Sequence, residues 1–267
     1  MHLTADQLEY LKDWLEAEIG LVIESDQAFF VASRLHPLIT RHGWNDYAPL
    51  IARLKDRTEY SLTQDVIESL LTHETSFFRD AHYFDELVSR TLPRIIERRA
   101  SGRRIAIWCA ACSTGQEAYS IAMVLRERFS EQLRGWQVEI LATDLSNRAI
   151  QQARAGIYTE VEVRRGLSDA RVVQHFRRDG IHWKIDDRLK QMIQFQQVNL
   201  KGTWPPIPMM DLILVRNVLV YMHPSTRERI LKRMQQALHS DGQLMLGCSE
   251  SMPVSGISTV SIRSAIN

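Results

Sequence analysis

The sequence predicts an α/β chain, a doubly wound and mostly parallel sheet that carries a helical N-terminal domain and a small β-insertion. Three observations predict it. Residues 1–90 read as short amphipathic helices, apolar at helical spacing. From residue 105 onward strands and helices alternate, which is the pattern of a parallel sheet. Residues 157–191 interrupt that alternation, being too polar and too long for a simple crossover. The predicted division is 1–90 for the helical domain with its linker helix and 91–267 for the α/β domain, with the insertion at about 157–191.

In the helical part, Leu8, Leu11, Leu15 and Ile19 recur on one helix face, and Gly20 stands where a C-cap belongs. A second helix is predicted over Asp26–His42, ending before Gly43, with Arg34, His36, Arg41 and His42 on its exposed side. That basic face is either solvated surface or a partner-binding surface. Tyr47–Lys55 and Thr63–Leu71 supply two more helices, enough for a small bundled appendage. Thr72–Arg79 then breaks the pattern with residues of helix-capping chemistry. Phe77 and Phe78 are predicted core anchors, and Arg79 is a cation beside two aromatics, free to form a surface salt bridge. Phe84–Arg99 is a further amphipathic helix leading through an arginine-rich linker into the sheet.

Ile105–Cys109 reads as a buried strand, followed by the small-residue loop Ala110–Gly115 and then by apolar residues at helical spacing, Ala118, Ile121, Ala122 and Leu125. Strand, tight turn and helix open a doubly wound domain, whose ligand lies beyond the carboxyl end of the strand. The loop has one glycine, not the three with which a backbone closes on a pyrophosphate. One glycine followed by the carboxylate of Glu117 suits a ligand with no phosphate and a positive group, and S-adenosylmethionine is such a ligand. The loop alone leaves a nucleoside site and plain strand–helix packing both open. Val138–Thr143 forms the second strand and ends on Asp144, placed either to accept hydrogen bonds from a ribose or, with Ser146, to cap the next helix, Arg148–Ala155. Within the insertion, Ala170–Phe176 reads as a helix, and Gly180–Lys184 with Arg188–Ile193 as a hairpin. Val198, Asn199 and Leu200 end the next strand, with Asn199 either reading an adenine edge or serving as a turn residue. Met210–Val215 is the most apolar strand, hence central, and delivers Arg216 and Asn217 to the same edge. Pro224–Leu238 reads as a helix, Asp241–Gly242 as a turn, Gln243–Gly247 as a strand and Val260–Arg263 as a final strand.

Composition excludes several classes. The 267 residues are 45% hydrophobic and 24% charged, values of an ordinary globular protein. A net charge of +1 argues against a nucleic-acid polyelectrolyte. No apolar run approaches the ~20 residues of a membrane span. The N-terminus lacks a secretory layout, and three cysteines suit a reducing compartment, so a cytoplasmic address is expected. Cys109 and Cys112 form a C-x-x-C, but Cys109 ends a strand and no second pair exists to complete a zinc site. Small side chains that admit a close approach explain the pair better than redox or metal chemistry does.

These pieces together resemble the chemotaxis receptor glutamate methyltransferases, the CheR family. The resemblance runs from the helical N-terminus to Glu250, on T-H-E-T-S-F-F-R-D, A-A-C-S-T-G-Q-E-A-Y-S-I, A-T-D-L-S, Q-Q-V-N-L and L-I-L-V-R-N-V-L-V-Y. It implies a class I S-adenosylmethionine-dependent methyltransferase fold, Rossmann-like, and methyl transfer from S-adenosyl-L-methionine to glutamate side chains of membrane chemoreceptors. The product of the cofactor is S-adenosyl-L-homocysteine, and no metal is implied. By resemblance, His73, Thr75 and Arg79 are cofactor contacts, Arg79 partnering the methionyl carboxylate, though His73 stands where many members carry asparagine. Glu117 and Asp144 align with contacts to the ammonium and ribose, Asn199 and Leu200 with the adenine side, and Arg216 and Asn217 with the methionyl side. Tyr221 aligns with the tyrosine beside the reacting methyl. Arg79 and Tyr221 are thus the candidate catalytic residues, orienting groups and neither acid nor base. A glutamate carboxylate is ionised at pH 7 and needs no general base; alignment in a water-poor site is the remaining work.

The resemblance makes the partner the cytoplasmic helical domain of a chemoreceptor, docked on the face carrying Arg34, His36, Arg41 and His42. No nucleic acid and no direct membrane insertion are expected. Pro37, Leu38 and Thr40 occupy positions often basic in the family, which predicts weaker docking or an unusual receptor. The insertion around Asp179–Gly180 is short, so no tether for a receptor's C-terminal peptide is expected, and the tail after Glu250 is short for the antiparallel strand pair that closes this fold. One rival from another class is a non-catalytic S-adenosylmethionine-binding sensor or scaffold. A nicotinamide oxidoreductase is disfavoured by the single-glycine loop.

Overall fold

The computed structural model describes residues 2–57, 59–247 and 250, with the strand Thr259–Ser261. The chain divides into two compact units. The smaller comprises Met1–Thr72, Leu200–Thr203 and Tyr221–Ile230, and the larger His73–Asn199, Trp204–Val220 and Leu231–Asn267.

The smaller unit is built on α1 (Ala5–Ile19), α2 (Ala28–Arg41), α3 (Ala48–Asp56) and α4 (Tyr60–Leu70). Thr4 and Gln7 form a reciprocal capping box at the start of α1, and Gly20 closes it in the left-handed region at φ 79°. Leu8, Leu11, Trp14, Leu15 and Ile19 are its buried face. A 3-10 turn, Ser25–Gln27, precedes α2, so that helix starts two residues later than its pattern suggests. Pro37 lies inside α2, where it withholds one N–H from the helix. Two later segments complete this unit. Val22 N–H donates to the Tyr221 carbonyl at 2.9 Å beside an antiparallel bridge between Leu21 and Met222. The Lys201 ammonium donates to the carbonyls of Glu16 and Ala17 at the end of α1, where cations suit the helix dipole. No local pattern announces these pairings, because the partners lie far apart in sequence.

The larger unit begins with one continuous helical stretch, α5 (Ala81–Glu86), a π-turn at Leu87–Thr91 and α6 (Leu92–Arg98). Pro93 has no N–H to continue the α pattern, which accounts for the wide turn just before it. Tyr83, Phe84, Leu87, Leu92 and Ile95 belong to the same buried cluster as Ile105, Ile107 and Ile121. That shared core is why this helix packs with the sheet, and why the compact units separate after Thr72, where the helical pattern alone suggests residue 90.

The sheet follows as β1 (Arg104–Ala110), α7 (Gln116–Phe129), β2 (Gln137–Asp144) and α8 (Asn147–Ala155). The insertion supplies β3 (Ile157–Tyr158), α9 (Glu160–Arg164), α10 (Asp169–His175), β4 (Phe176–Asp179), β5 (His182–Ile185) and α11 (Asp187–Lys190). Then come β6 (Ile193–Gln197), β7 (Met210–Val215), α12 (Pro224–Gln236), β8 (Leu238–Leu246) and β9 (Thr259–Ser261). The main sheet runs β6-β2-β1-β7-β8-β9 with every neighbouring pair parallel. The strand order reverses between β1 and β7, the position where doubly wound sheets open a ligand crevice. All six residues of β7 are buried, as a central strand requires.

The insertion forms its own antiparallel sheet, β3-β5-β4. Its hairpin joins β4 to β5 through Gly180 at φ 59°. Arg188 is not in a hairpin arm: Asp186 caps α11 by accepting the Arg188 N–H, and Ile193 opens β6. Asp241 and Gly242 are not a turn between elements but lie inside β8, at a register irregularity opposite Met210 and Leu212. Of the predicted final strand, Val260 and Ser261 belong to β9, which pairs parallel with β8, while Arg263 lies outside the described residues.

Candidate cofactor site

The strand tips line up because the ladders are in register: Ala110 faces Thr143 and Val215, and Asp144 faces Gln197. Beyond β1 the chain must turn within Ala111–Gly115, and it does so through left-handed backbone at Ala111 (φ 60°), Ser113 (51°) and Gly115 (94°). A Cβ at Gly115 would stand 2.9 Å from that of Ala153, so only glycine lets the loop pack on α8. The neighbouring tip fixes the loop: Cys112 N–H donates to the Thr143 carbonyl at 2.9 Å, and Ser113 N–H to Asp144 Oδ2 at 2.7 Å. Ser113 Oγ is buried and has no hydrogen-bond partner among the described residues.

Asp144 is not the cap of α8. Ser146 is, its hydroxyl accepting from Ala149 N–H, while Asp144 Oδ1 takes the N–H of Ser146 itself. The Asp144 carboxylate is thereby aimed by backbone donors on both sides. Its own carbonyl accepts from Val198 N–H at 2.8 Å, which sets the half-buried Asn199 beside the same tip.

On the other side of β1 sits a buried ion cluster. Arg216 Nη1 donates to Glu117 Oε2 at 2.7 Å, and Nη2 to Asp80 Oδ2 at 2.5 Å and to the Arg79 carbonyl at 3.0 Å. Its guanidinium stacks 3.9 Å from the centre of the Tyr83 ring, and its side chain is only 2% exposed. Burial disfavours the Arg216 charge, but the Glu117 carboxylate, with Tyr83 and Asp80, outweighs it and holds the pKa above the ordinary value. The sequence reading missed Asp80 and Tyr83. Asp80 stands in the T-H-E-T-S-F-F-R-D motif, yet nothing local says that its partner is Arg216.

Arg79 is placed differently from Arg216. Its Nη1 donates to the Glu74 carbonyl at 2.8 Å; its charge helps to lower the pKa of the exposed Glu74 carboxyl, but it forms no ion pair with a carboxylate among the described residues. Among the described residues, seven non-glycine positions have positive φ, and five surround this region: Phe78, Asp80, Ala111, Ser113 and Asn217. Such conformations cost ~1–3 kcal/mol each and persist where surrounding contacts over-determine them. At Asn217 the contact is Glu250, 4% exposed, whose carboxylate accepts from the backbone N–H groups of Asn217, Val218, Leu219 and Gly247. Cys109 and Cys112 are both free and buried, and burial pushes both thiols well above their ordinary pKa, opposite to what redox activity needs.

The family model of the CheR methyltransferase, SAM binding domain, matches residues 73–265. The chain belongs to the CheR methyltransferase family. It is 33% identical over 247 residues to Chemotaxis protein methyltransferase 1 of Pseudomonas aeruginosa, covering 91% of this chain and 89% of the relative. To Chemotaxis protein methyltransferase 1 of Vibrio cholerae it is 34% identical over 242 residues, covering 90% and 86%. To the Chemotaxis protein methyltransferase of Vibrio anguillarum it is 34% identical over 255 residues, covering 94% and 91%. Membership makes S-adenosyl-L-methionine the cofactor and the α/β unit a class I methyltransferase fold.

The chemistry of this CheR-family site fits that ligand. Two anchored carboxylates, Glu117 and Asp144, and one cation, Arg79, with no ion-paired carboxylate among the described residues, match an amino acid zwitterion joined to a ribose. Glu117, Asp144, Asn199, Arg216 and Asn217 thus lie beyond the carboxyl ends of neighbouring strands of the larger unit, where the Arg79 carbonyl meets Arg216. His73 and Thr75, half-buried, open the same unit. Leu200, buried, and Tyr221, 56% exposed, fall in the smaller unit. So do Arg34, His36, Arg41 and His42, all exposed. Arg34 stacks on Phe30, Arg41 pairs with Asp65 at 2.5 Å, and His42 stacks on Trp44. No helix among the described residues is long and apolar enough to cross a membrane.

Proposed function

We propose that this methyltransferase esterifies glutamate side chains in the cytoplasmic helical domain of a membrane chemoreceptor, acting in the cytoplasm as part of sensory adaptation. The observation that carries the reading is the site's charge pattern: two carboxylates fixed by partners, and one arginine that forms no ion pair with a carboxylate among the described residues. No residue of the site need act as a base, because a glutamate nucleophile is already ionised at pH 7.

When bound, S-adenosyl-L-methionine supplies a methyl group on a sulfonium. Arg79 holds the methionyl carboxylate. Glu117, steadied by Arg216, takes the ammonium, and Asp144, steadied by Ser113 and Ser146, takes the ribose hydroxyls. Asn199 and Leu200 read the adenine, with His73, Thr75, Arg216 and Asn217 completing the contacts. Arg79 and Tyr221 orient the reacting groups, so the protein's contribution is alignment and exclusion of water. Arg34, His36, Arg41 and His42 dock the receptor's helices. The short hairpin at Asp179–Gly180 is assigned no receptor tail.

The test is incubation with methyl-tritiated S-adenosylmethionine and receptor-enriched membranes, followed by peptide mapping of base-labile label. The expected result is label on receptor glutamates. Cofactor binding without such label would leave a sensor or scaffold module instead. Arg79→Ala is expected to weaken cofactor binding by about 2 kcal/mol, the worth of a charge-assisted contact, and unchanged binding in that variant would sink the role given to Arg79.

A further inference from the structure

The insertion touches both segments to which cofactor contacts are assigned, the Glu74–Asp80 strap and the Ala111–Gly115 loop. Tyr158, fully buried in β3, donates from its hydroxyl to the Thr114 carbonyl in the loop at 2.8 Å. The same ring stands edge-on to Phe77 of the strap, with centroids 5.1 Å apart, and Phe77 is edge-on to Phe176 of β4 at 5.5 Å. Gly166, at φ 102°, lies so close beneath the strap that a Cβ there would fall 1.8 Å from the Phe77 carbonyl oxygen. Arg171 of α10 stacks its guanidinium 3.7 Å from the Phe78 ring. Glu127 of α7 fixes Arg171 through Nε and Nη2 and also binds the buried His175 at 2.8 Å. Arg165 pairs with the Glu74 side chain at 2.7 Å, and the Glu74 carbonyl is the acceptor for Arg79.

The strap needs such support. Phe78 and Asp80 both have left-handed backbone, a conformation a non-glycine residue holds only when its surroundings impose it. From inside the larger unit, Phe78 N–H donates to Ser120 Oγ and Asp80 binds Arg216. The Phe78 ring also stands 5.0 Å from that of Phe84 in α5, while the other contacts to Glu74, Phe77 and Phe78 described above come from the insertion.

We propose that Tyr158, Gly166 and Arg171 are positioning residues of the methyl-donor site, so that the insertion works as a strut setting Arg79 relative to the Ser113–Gly115 loop. This rests on the role given above to Arg79. The strut acts through the protein: none of the three need touch the cofactor, and the cost of losing one appears as cofactor affinity.

The experiment is titration calorimetry of the full chain with S-adenosylhomocysteine, well below Tm, for Tyr158→Phe, Arg171→Ala, Gly166→Ala and Arg79→Ala. Tyr158→Phe keeps the ring packing and removes one hydrogen bond, so its Kd is expected to rise about fivefold or more. Arg171→Ala is expected to rise comparably, and Gly166→Ala further, provided that it folds. With receptor as substrate, Tyr158→Phe is expected to raise KM for the methyl donor while kcat at saturation stays near wild type. A merely structural role would lower Tm and leave the Kd unchanged. Wild-type Kd in both Tyr158→Phe and Arg171→Ala, with Arg79→Ala weakened, would overturn the strut and leave Arg79 in place. Wild-type Kd in Arg79→Ala as well would remove the reading beneath it.

Discussion

Arg216 shows what a single side chain contributes here that its sequence position does not disclose. It is the buried cation that makes Glu117 and Asp80 tolerable inside the protein, and its ring partner Tyr83 is wholly buried. Replacing it by alanine strands one largely buried and one partly buried carboxylate, and breaking such a pair from one side costs about 3 kcal/mol. Denaturant unfolding of Arg216→Ala should show that loss, and a change under 1 kcal/mol would mean that water reaches the cluster freely. Arg216→Lys keeps the charge but loses the fork that spans Glu117, Asp80 and the Arg79 carbonyl, so it should recover only part of the stability. The cysteines give a second check at this scale. With both thiols pushed up by burial, Cys109 and Cys112 should resist iodoacetamide at neutral pH and label only on unfolding. Peptide mapping after brief alkylation decides it, and label on either in the folded chain would contradict their burial.

Local elements were legible wherever period and punctuation agreed. Gly20, Gly115 and Gly156 end or begin helices in left-handed backbone as their positions suggest. Legibility failed where an element's shape comes from partners distant in sequence. The hairpin arm expected over Arg188–Ile193 is instead a short helix and the start of β6, because Asp186 caps α11 and clamps Arg188 with the same carboxylate. The loop after β7 is similar: nothing in R-N-V-L predicts that Glu250 collects its N–H groups. Glu250→Ala should therefore cost about 2 kcal/mol, read in denaturant melts. The insertion carries a pH signature of its own. The hydrogen bond and charge of Arg188 push the Asp186 carboxyl down to about 2. Burial raises the Glu127 pKa, but the hydrogen bonds from Arg171 and His175 outweigh it, leaving the carboxyl below its usual value. A depressed folded pKa gives stability that is full above the unfolded value and is lost as pH falls through the folded one. The stability difference between wild type and Asp186→Asn should thus shrink between pH about 4 and about 2. A difference flat across that window would mean that Arg188 does not hold Asp186 in solution.

At the scale of the whole molecule, alternation of strands and helices made the doubly wound sheet legible, and its order reverses between β1 and β7, where such sheets open a crevice. The division of labour between the two units did not follow. The run of helical spacing placed a boundary near residue 90, whereas the linker helix shares the sheet's core, and Leu200 and Tyr221 were recruited to the helical unit by long-range pairing at Lys201 and Val22. The proposed receptor surface belongs to that helical unit. Its charges have partners of their own in Phe30, Asp65 and Trp44, and none of these is among the residues gathered at the strand tips. Exposed charges act mainly on encounter with a partner and are screened beyond roughly 8 Å at physiological salt. Reversing Arg34 and Arg41 together to glutamate should therefore raise the KM for receptor about tenfold and flatten its salt dependence. The S-adenosylhomocysteine Kd should stay at the wild-type value. Arg41 already shares its charge with Asp65, so the single Arg34→Glu should carry most of the effect. Methylation rates measured against receptor concentration at two ionic strengths separate the outcomes, and an unaltered KM at low salt would move receptor docking away from this helix.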